Sequence, residues 1–497
     1  MLGGLGLAVF VRLWVLPLNS SLSLDEFGTW WVTNGGFGDI LSRARLFPQS
    51  VPYAAIVWLA RAIGGNGEIA LRLPSLLAGG LAAYCLYRLG LELFDRETGW
   101  LAAGIFVGTP QICFAAGDAR PYAFGLLATI AALWMLVRLL ERGRAADALG
   151  YVLCATAAVY FQYLFATMFV AYAAYAVRRW RRGSEAPARK LLLAAAGVAL
   201  LTAPALWLML EIGRDRAFHA FGVMPGARAL LLTLVASGVL AALLGSIFVC
   251  WIFYREARRP LAIGWSTAIQ ARKSSVPPAD ALWLLALSVL VPPVFLFAVS
   301  RATGTSVFVS RYMLCILPAQ ALLMAWLVRG FQPVGGRRAI LAGYLLIMLL
   351  GRGLKVGHTG EDWRGAIAAV DASNGRHPIL LAGTYTESRN LEWVRNAEHA
   401  EYMRSPLDYY ESSGEALILP LFGGRDAEAY VEGLIDATPG LGDRFALIER
   451  PSRFPSWAPW LEQRFRPRGY RMRRAWVDGS PSAWVFERTV SREQTPR

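Results

Sequence analysis

Two adjacent carboxylates, those of Asp25 and Glu26, follow the apolar run at the start of the chain. Membrane proteins keep acidic side chains out of hydrocarbon, because each costs about 2.5–3.5 kcal/mol at the centre of a helix. A pair just past a membrane exit is therefore a candidate for chemistry. Neighbouring side chains on a helix point about 100° apart, so we expect Asp25 alone to face a common site squarely. The alternative is a helix start, with Ser23 or Asp25 as the cap and Glu26 in the first turn.

A second polar motif, Gly117-Asp-Ala-Arg-Pro-Tyr122, separates two apolar runs. It places the carboxylate of Asp118 and the guanidinium of Arg120 at the mouth of the membrane. The alternative is a helix-capping loop, with Pro121 at the first helical position and an internal Asp–Arg pair.

Arg311 and Tyr312 stand where another apolar run begins. There an arginine either anchors the helix at the interface or binds a phosphate bidentately in the headgroup layer. Two carboxylates and two arginines together suit the transfer of a group from a lipid phosphate to a hydroxyl. A carboxylate accepts the hydroxyl proton, and the arginines neutralise the departing phosphate. A fourth motif, residues 360–365, is typical of a helix start, and we assign it no chemistry.

The elements that must position these motifs are membrane spans. The chain has 497 residues, 56% of them hydrophobic, and a mean hydropathy of +0.40. Apolar runs of about 17–25 residues are long enough to cross a bilayer. We therefore predict a polytopic α-helical membrane protein with about eleven spans, at 1–18, 73–93, 100–116, 122–140, 149–161, 164–177, 191–210, 230–254, 282–299, 312–328 and 339–350. Segment 19–71 is predicted to be the first extracytoplasmic loop, with interfacial helices and with Trp30, Trp31, Tyr53 and Trp58 at the level of the headgroups.

The net charge of +15 is concentrated in the first 352 residues, which hold 31 basic and 15 acidic residues. This pattern is expected of positive-inside loops and not of a nucleic-acid groove. Four connecting stretches hold 17 basic and three acidic residues, namely 138–144, 178–190, 255–273 and 329–338. We therefore place them and the N-terminus in the cytoplasm. The polar motifs then all lie on the outer face of the cytoplasmic (inner) membrane.

From residue 353 onward the composition is that of a water-soluble domain, with 19 basic and 20 acidic residues. Helical patterns at 362–373, 387–396 and 426–437 alternate with apolar strands at 378–382, 416–420 and 444–449, and a hairpin follows at 470–477 and 482–488. This rhythm predicts an α/β fold. We therefore divide the chain into a catalytic membrane domain, 1–352, and an extracytoplasmic α/β domain, 353–497, in which we find no catalytic motif.

The five cysteines all fall in apolar runs, and the four histidines are scattered. An odd number of cysteines without a CxxC spacing argues against disulfides and against a zinc site. The sequence therefore requires no cofactor, and it leaves a divalent cation open without supporting one.

Five motifs in this order resemble one family: the Asp25–Glu26 pair, Glu-Ile-Ala-Leu-Arg-Leu-Pro-Ser at 68–75, Asp-Ala-Arg-Pro-Tyr at 118–122, Ser-Arg-Tyr with a later Leu-Pro at 310–318, and Asp-Trp-Arg at 362–364. They are similar to motifs of the C-fold (GT-C) membrane glycosyltransferases, of the protein O-mannosyltransferase and lipid A aminoarabinose transferase kind. The likeness covers most of the membrane part, whereas the α/β domain matches loosely.

The resemblance implies an inverting transfer of a sugar from a polyprenyl-phosphate donor to a lipid, glycan or protein acceptor on the outer face. Asp25 matches the expected general base, and Glu26 matches its partner acid. Asp118, where many relatives have Glu, matches a carboxylate near the acceptor or the donor head. Positions lining the donor-phosphate cavity are matched by Arg120, Tyr122, Arg311 and Tyr312. The stretch 27–31 departs from the aminoarabinose transferases, which have an arginine shortly after the acidic pair.

Two other functions are weighed against this one. A transporter or lipid flippase predicts charges and broken helices near the bilayer midplane and an internal repeat. We find no repeat, and apart from Arg12 the charged motifs lie at the outer rim. A non-catalytic scaffold that displays the α/β domain predicts that neutralising Asp25 leaves function intact. The glycosyltransferase is the favoured hypothesis.

Overall fold

The structure, a computed structural model, describes residues 2–46, 49–214, 223–256, 261–263, 276–351, 357–382, 385–421, 424–438, 441–450, 455–476 and 479–489. Two compact units make up the chain. We call Met1–Leu18 with Ser50–Val356 the membrane unit, and Asn19–Gln49 with Gly357–Arg497 the α/β unit. The predicted boundary at 352–353 lies outside the described residues. The predicted outer loop, 19–71, is divided between the two units after Gln49.

Long apolar helices form most of the membrane unit. Numbered through the whole chain, they are α1 (Leu2–Phe10), α4 (Val51–Gly64), α5 (Glu68–Leu93), α6 (Arg96–Gly108), α7 (Pro110–Gly117), α8 (Tyr122–Arg142), α9 (Ala145–Phe161), α10 (Met168–Arg181), α11 (Ala188–Arg214), α12 (Ala227–Leu234), α13 (Ser237–Glu256), α14 (Pro278–Thr303), α15 (Leu317–Arg329) and α16 (Val334–Gly351). Short 3₁₀ segments, Tyr163–Thr167 and Ser310–Ile316, lead into α10 and α15. Two short antiparallel strands, β1 (Ala262–Ile263) and β2 (Phe331–Gln332), complete this unit as described.

Among the described residues, seven helices are long and apolar enough to cross a membrane. The number is up to nine if each of two further pairs of shorter helical segments, joined at a bend, counts as one span. The polytopic α-helical class is therefore confirmed. All eleven predicted runs fall on helical segments. The count is lower because α9 and α10, with 17 and 14 residues, are shorter than the bilayer requires.

A break between α6 and α7 positions the second polar motif. Pro110 cannot donate a backbone hydrogen bond, and the two helices are bent by 68° where they meet at Thr109. The carbonyl of Val107 at the break accepts hydrogen bonds from the Trp14 indole (2.9 Å) and from the Cys113 thiol (3.2 Å). These bonds satisfy a backbone group that would otherwise be costly to bury. The bend therefore redirects the chain into the polar motif without leaving this acceptor unused.

Helix α5 is packed closely against α6 and holds the end of the first span. A Cβ atom at Gly90 would lie only 2.7 Å from the Cα of Gly99, so a larger residue at this crossing would push the two backbones apart. Arg72 is fully buried and donates to the carbonyls of Pro17 (3.2 Å) and Leu18 (3.0 Å). Through Arg72, α5 fixes the backbone that leads in sequence to the acidic pair.

The α/β unit combines seven described helices with a five-stranded sheet. The helices are α2 (Leu24–Thr33), α3 (Asp39–Leu46), α17 (Trp363–Asn374), α18 (Leu391–Arg395), α19 (Ala397–Tyr409), α20 (Arg425–Ala437) and α21 (Trp457–Phe465), and the strands are β3 (Ile379–Ala382), β4 (Ala416–Ile418), β5 (Arg444–Glu449), β6 (Tyr470–Trp476) and β7 (Ser482–Arg488). The strand order is β4-β3-β5-β7-β6. Strand β3 is parallel to β4 and β5, whereas β7 is antiparallel to β5 and β6.

The predicted α/β fold is confirmed, and the hairpin is formed by β6 and β7. Its turn residues 477–478 lie outside the described residues. All four residues of β3 are buried, which explains its continuous apolar run. The predicted helix at 387–396 is instead a 3₁₀ turn, Thr386–Arg389, followed by the short α18. Helices α19 and α21 were not predicted.

Candidate active site

The loop between α7 and α8 carries Asp118 and Arg120. Asp118 follows the last residue of α7 and is only 2% exposed, and Arg120 is half-buried. The carbonyl of Arg120 accepts a hydrogen bond from the Ser75 hydroxyl (3.1 Å), which also bonds to the hydroxyl of Tyr53 (3.0 Å). The loop is thereby tied to α5 and α4. Pro121, predicted at the first helical position, is the residue that precedes α8.

Arg311 and Tyr312 lie in the 3₁₀ segment Ser310–Ile316 and are both half-buried. The guanidinium carbon of Arg311 is 5.5 Å from the centre of the Tyr312 ring, a cation–π arrangement. A guanidinium stacked on a ring keeps its N–H groups directed along its own plane, where they can bind a planar or tetrahedral anion.

Tyr163 connects these two parts of the sequence. Its phenol interacts electrostatically with the guanidinium groups of Arg120 and Arg311. It also interacts with the phenols of Tyr122 and Tyr312. The 3₁₀ segments that hold Tyr163 and Arg311 contact each other. Four of the predicted residues, from loops nearly 200 positions apart, therefore act on one tyrosine that the motifs did not include. Two arginines and three phenolic hydroxyls form a group suited to a phosphate.

The only sequence signal for Tyr163 was the short interruption between the apolar runs 149–161 and 164–177. Gln162 and Tyr163 occupy that interruption, and in the structure α9 ends at Phe161. A polar break between two membrane runs can place a side chain in a polar cluster, but the break does not indicate which of its side chains does so.

Asp25 and Glu26 lie in the first turn of α2, in the α/β unit. Ser23 is the N-cap, and its N–H donates to the Glu26 carboxylate (2.8 Å) in a capping box. Glu26 is fully buried in this role, whereas Asp25 is exposed. The helix-start alternative is therefore correct for Glu26, and a catalytic role for either acid stays a prediction.

Two tyrosines lie within electrostatic reach of Asp25. Burial raises the pKa of the Tyr402 phenol well above its ordinary value, and the nearby charges of Glu387 and Asp25 raise that pKa further. The pKa of Tyr385 is raised for the same main reason, burial, with a smaller contribution from Asp25. Both phenols therefore stay protonated at neutral pH.

The segment before Asp25 is bonded to the rest of the α/β unit. The N–H of Leu22 donates to the Tyr410 hydroxyl (3.0 Å). The backbone N–H of Arg364 donates to the Ser21 hydroxyl (3.2 Å), and its guanidinium donates to the carbonyl of Asn19 (3.1 Å). These bonds explain the Asp-Trp-Arg motif in part, because its arginine holds residues 19–21.

The rest of that motif starts a helix, as predicted. The carboxylate of Asp362 caps α17 by accepting from the N–H of Gly365 (3.0 Å), and Trp363 is fully buried. Neither residue is exposed for chemistry, so the motif positions its surroundings.

The prediction that Trp30, Trp31 and Tyr53 lie among lipid headgroups is wrong. Trp30 and Trp31 are 7% and 3% exposed, and Tyr53 is fully buried in the membrane unit. The ring centre of Trp30 is 5.5 Å from that of Tyr409, and the ring centre of Trp31 is 5.3 Å from that of Tyr402, both edge-on. Helix α2 is therefore packed through its aromatic face on α19.

Comparison with known proteins gives a family match over part of the chain and a similarity of fold. Residues 49–208 match the model of the dolichyl-phosphate-mannose-protein mannosyltransferase family. No curated protein sequence matches the chain. The fold is similar to that of ArnT from Cupriavidus metallidurans bound to undecaprenyl phosphate, with a TM-score of 0.58, 12% identity and 97% of each chain covered. The family match over residues 49–208 and the similarity of fold both agree with the C-fold glycosyltransferase resemblance carried by the motifs.

Two further solved structures are more distant. Apo ArnT from the same organism has a TM-score of 0.44 at 13% identity, with 97% of each chain covered. The Archaeoglobus fulgidus oligosaccharyltransferase tethered with an acceptor peptide has a TM-score of 0.37 at 12% identity, covering 90% of this chain and 68% of that one.

Proposed function

We propose that this protein transfers a sugar from a polyprenyl-phosphate donor to an acceptor hydroxyl on the outer face of the cytoplasmic membrane, with inversion at the anomeric carbon. The observation that carries the proposal is that the segments Tyr163–Thr167 and Ser310–Ile316 contact each other, with Arg120 and Arg311 both acting electrostatically on Tyr163. Two guanidinium groups that act on the same buried tyrosine of a membrane protein suit an anionic lipid head. The undecaprenyl phosphate bound to ArnT, a protein of similar fold, supports a polyprenyl phosphate as the carrier.

The proposed reaction forms one bond and breaks one bond at the anomeric carbon. The acceptor oxygen attacks that carbon from the face opposite the phosphate, which inverts its configuration. The hydroxyl proton passes to the carboxylate of Asp25, and the electron pair of the broken carbon–oxygen bond stays on the phosphate. The polyprenyl phosphate therefore leaves with one more negative charge than it had in the donor, while Asp25 becomes neutral.

The additional negative charge on the leaving phosphate explains the need for arginines. A positive group that binds the phosphate more strongly as its charge grows lowers the barrier, because the interaction is stronger in the transition state than in the ground state. We assign this role to Arg120 and Arg311. The hydroxyls of Tyr122, Tyr163 and Tyr312 would donate hydrogen bonds to the remaining phosphate oxygens.

The two other acids have supporting roles in this proposal. Glu26 holds the first turn of α2 through its bond to Ser23, and so supports Asp25. Asp118 is nearly excluded from solvent and shares a loop with Arg120. We assign Asp118 to the polar head of the donor or of the acceptor, in line with the motif that it matches.

The acceptor side follows from topology and class. The positive-inside pattern favours a cytoplasmic N-terminus and an extracytoplasmic α/β domain. Acceptors available there include lipids, glycans and proteins. A membrane-bound donor favours chemistry at the bilayer surface, where the long polyprenyl chain stays in lipid.

The test uses purified full-length protein in lipid nanodiscs and a panel of radiolabelled undecaprenyl-phosphate sugars, with crude envelope as the acceptor. The proposal predicts that one donor is consumed, that undecaprenyl phosphate is released in equal amount, and that the product has the opposite anomeric configuration. If every donor remains intact while proteoliposomes move a labelled lipid between leaflets, the protein is a flippase and the proposal is wrong.

A further inference from the structure

The backbone of Leu24, the residue immediately before Asp25, is held from two sides within the α/β unit. Its N–H donates to the Glu361 carboxylate (2.9 Å), and its carbonyl accepts from the Tyr385 hydroxyl (3.2 Å). Leu24 is the first residue of α2, so its N–H is one of the donors that a helix leaves without an internal partner. We infer that Glu361 and Tyr385 are positioning residues that fix the direction of the Asp25 side chain. The inference rests on the proposed function, in which Asp25 is the base.

Glu361 is itself fixed by two further bonds. The oxygen that accepts from Leu24 also accepts from the Trp363 indole N–H (2.9 Å). The other oxygen accepts from the Arg450 guanidinium (2.8 Å). With only 12% of its side chain exposed, Glu361 has little freedom to turn. A group held in this way can transmit a defined position to the backbone that it binds.

Tyr385 is fixed in the same way. Its hydroxyl has a single hydrogen, which goes to the Leu24 carbonyl, so the Ser405 hydroxyl must donate to the phenol oxygen (3.1 Å). The ring is buried, with its centre 4.3 Å from that of Tyr402. The carbonyl of Leu24 is therefore bonded to a side chain whose own position is set by packing.

Capping alone does not require these contacts. The N-terminus of α2 already has a capping box formed by Ser23 and Glu26, three positions apart. Glu361 comes from 337 positions further along the chain and adds a constraint that only the folded α/β unit can supply. Arg450 balances the charge of Glu361, so the contact does not leave an uncompensated negative group close to Asp25.

The expected effect of losing the contact is on the rate of the chemical step. A small misplacement of a catalytic group can cost up to about 100-fold in rate. We expect Glu361→Ala to lower kcat about 10–100-fold and to change the donor KM less than about threefold, because it does not touch the donor-phosphate residues. Glu361→Gln keeps an acceptor oxygen for Leu24 and should restore kcat to within about fivefold of wild type.

The experiment uses full-length protein in nanodiscs, with undecaprenyl-phosphate sugars as donors, and also measures hydrogen–deuterium exchange in peptides covering residues 20–31. Glu361→Ala should speed exchange at the start of α2. Glu449→Ala is the matched control, because Glu449 is a buried carboxylate of the same unit that accepts the N–H of Trp457 (3.0 Å) at the start of α21. The control should leave kcat and the exchange of residues 20–31 unchanged.

Combination with Asp25→Asn separates the possible outcomes. If Glu361 acts through Asp25, Glu361→Ala slows the wild type but not the Asp25→Asn protein. Equal slowing of both proteins overturns the inference, since it indicates a general structural role. If Asp25→Asn is inactive but Glu361→Ala is fully active and its exchange is unchanged, the positioning role of Glu361 is overturned and the proposed function is not. A fully active Asp25→Asn instead overturns the proposed function.

Discussion

Replacement of Arg311 by alanine removes one of the two guanidinium groups that act electrostatically on Tyr163. A hydrogen bond to a charged group contributes about 1.5–3 kcal/mol, and a tenfold change in a binding constant corresponds to about 1.4 kcal/mol. Arg120 remains in the variant and retains part of the phosphate contact. We therefore expect Arg311→Ala to weaken the binding of undecaprenyl phosphate by about 10–150-fold. Arg311→Lys keeps the charge but loses the planar fork, so we expect a loss of about 3–10-fold.

The assay is equilibrium binding of undecaprenyl phosphate to the purified protein in nanodiscs. Arg301→Ala is the matched control, because Arg301 is an exposed arginine ten positions earlier whose guanidinium lies 5.9 Å from the Phe297 ring. It should bind the lipid as tightly as the wild type. Added salt should weaken binding less in Arg311→Ala than in the wild type, because one charge contact is gone. Wild-type affinity in Arg311→Ala would refute the assignment of this group to the phosphate.

Two further outcomes are expected. Tyr163→Phe removes only a hydroxyl, so the donor KM should rise about 2–12-fold in steady-state transfer assays. Tyr160 is the control, because its hydroxyl bonds to the Leu201 carbonyl (3.1 Å), and Tyr160→Phe should leave the donor KM unchanged. An unchanged KM in Tyr163→Phe would contradict the role of Tyr163. Burial raises the pKa of Glu449 in the folded protein, so ionisation of this carboxyl opposes folding. The wild type should therefore lose stability relative to Glu449→Gln as the pH rises from about 4.3 through that raised value. A difference in melting temperature between the two proteins that stays constant from about pH 4 to about pH 8 would contradict this.

Hydropathy predicted the helices of the membrane unit well, because a span needs a long apolar run and little else. It did not predict the break inside the run 100–116. Pro110 was the visible signal, since a proline inside a helix removes a hydrogen bond. At this bend of 68° the carbonyl of Val107 accepts hydrogen bonds from Trp14, which is 93 positions away, and from Cys113 on α7. Such distant partners cannot be read from a local pattern.

For a similar reason, the sequence did not predict that residues 19–49 belong to the α/β unit. Its bonds join Leu24 to Glu361 and Ser21 to Tyr410, which are 337 and 389 positions apart. Trp30 and Trp31 were assigned to the headgroup layer because an aromatic residue near a membrane exit is typical of that layer. Burial against another part of the protein gives the same local pattern. The capping box, by contrast, was predictable, since all its atoms lie within four residues.

The candidate site was partly predictable. Motif order selected Arg120, Tyr122, Arg311 and Tyr312, all four of which act electrostatically on Tyr163, and their role at a phosphate stays a prediction. Tyr163 was missed because a single tyrosine in a short polar break has no spacing that distinguishes it. Glu361 was assigned only to a helix start, because its partner Leu24 belongs to a helix at the other end of the chain.

The central claim is that Asp25 accepts the proton of the acceptor hydroxyl. The most direct measurement compares single-turnover sugar transfer by the wild type, Asp25→Asn and Asp39→Asn, at equal amounts in the membrane. Asp39 is the control, because it lies in the same segment and its carboxylate accepts a local hydrogen bond from the Gly36 N–H (2.8 Å) at an exposed site. The account predicts that Asp25→Asn is about 10²–10⁴-fold slower and that Asp39→Asn is unaffected. Transfer by Asp25→Asn at the wild-type rate would contradict it.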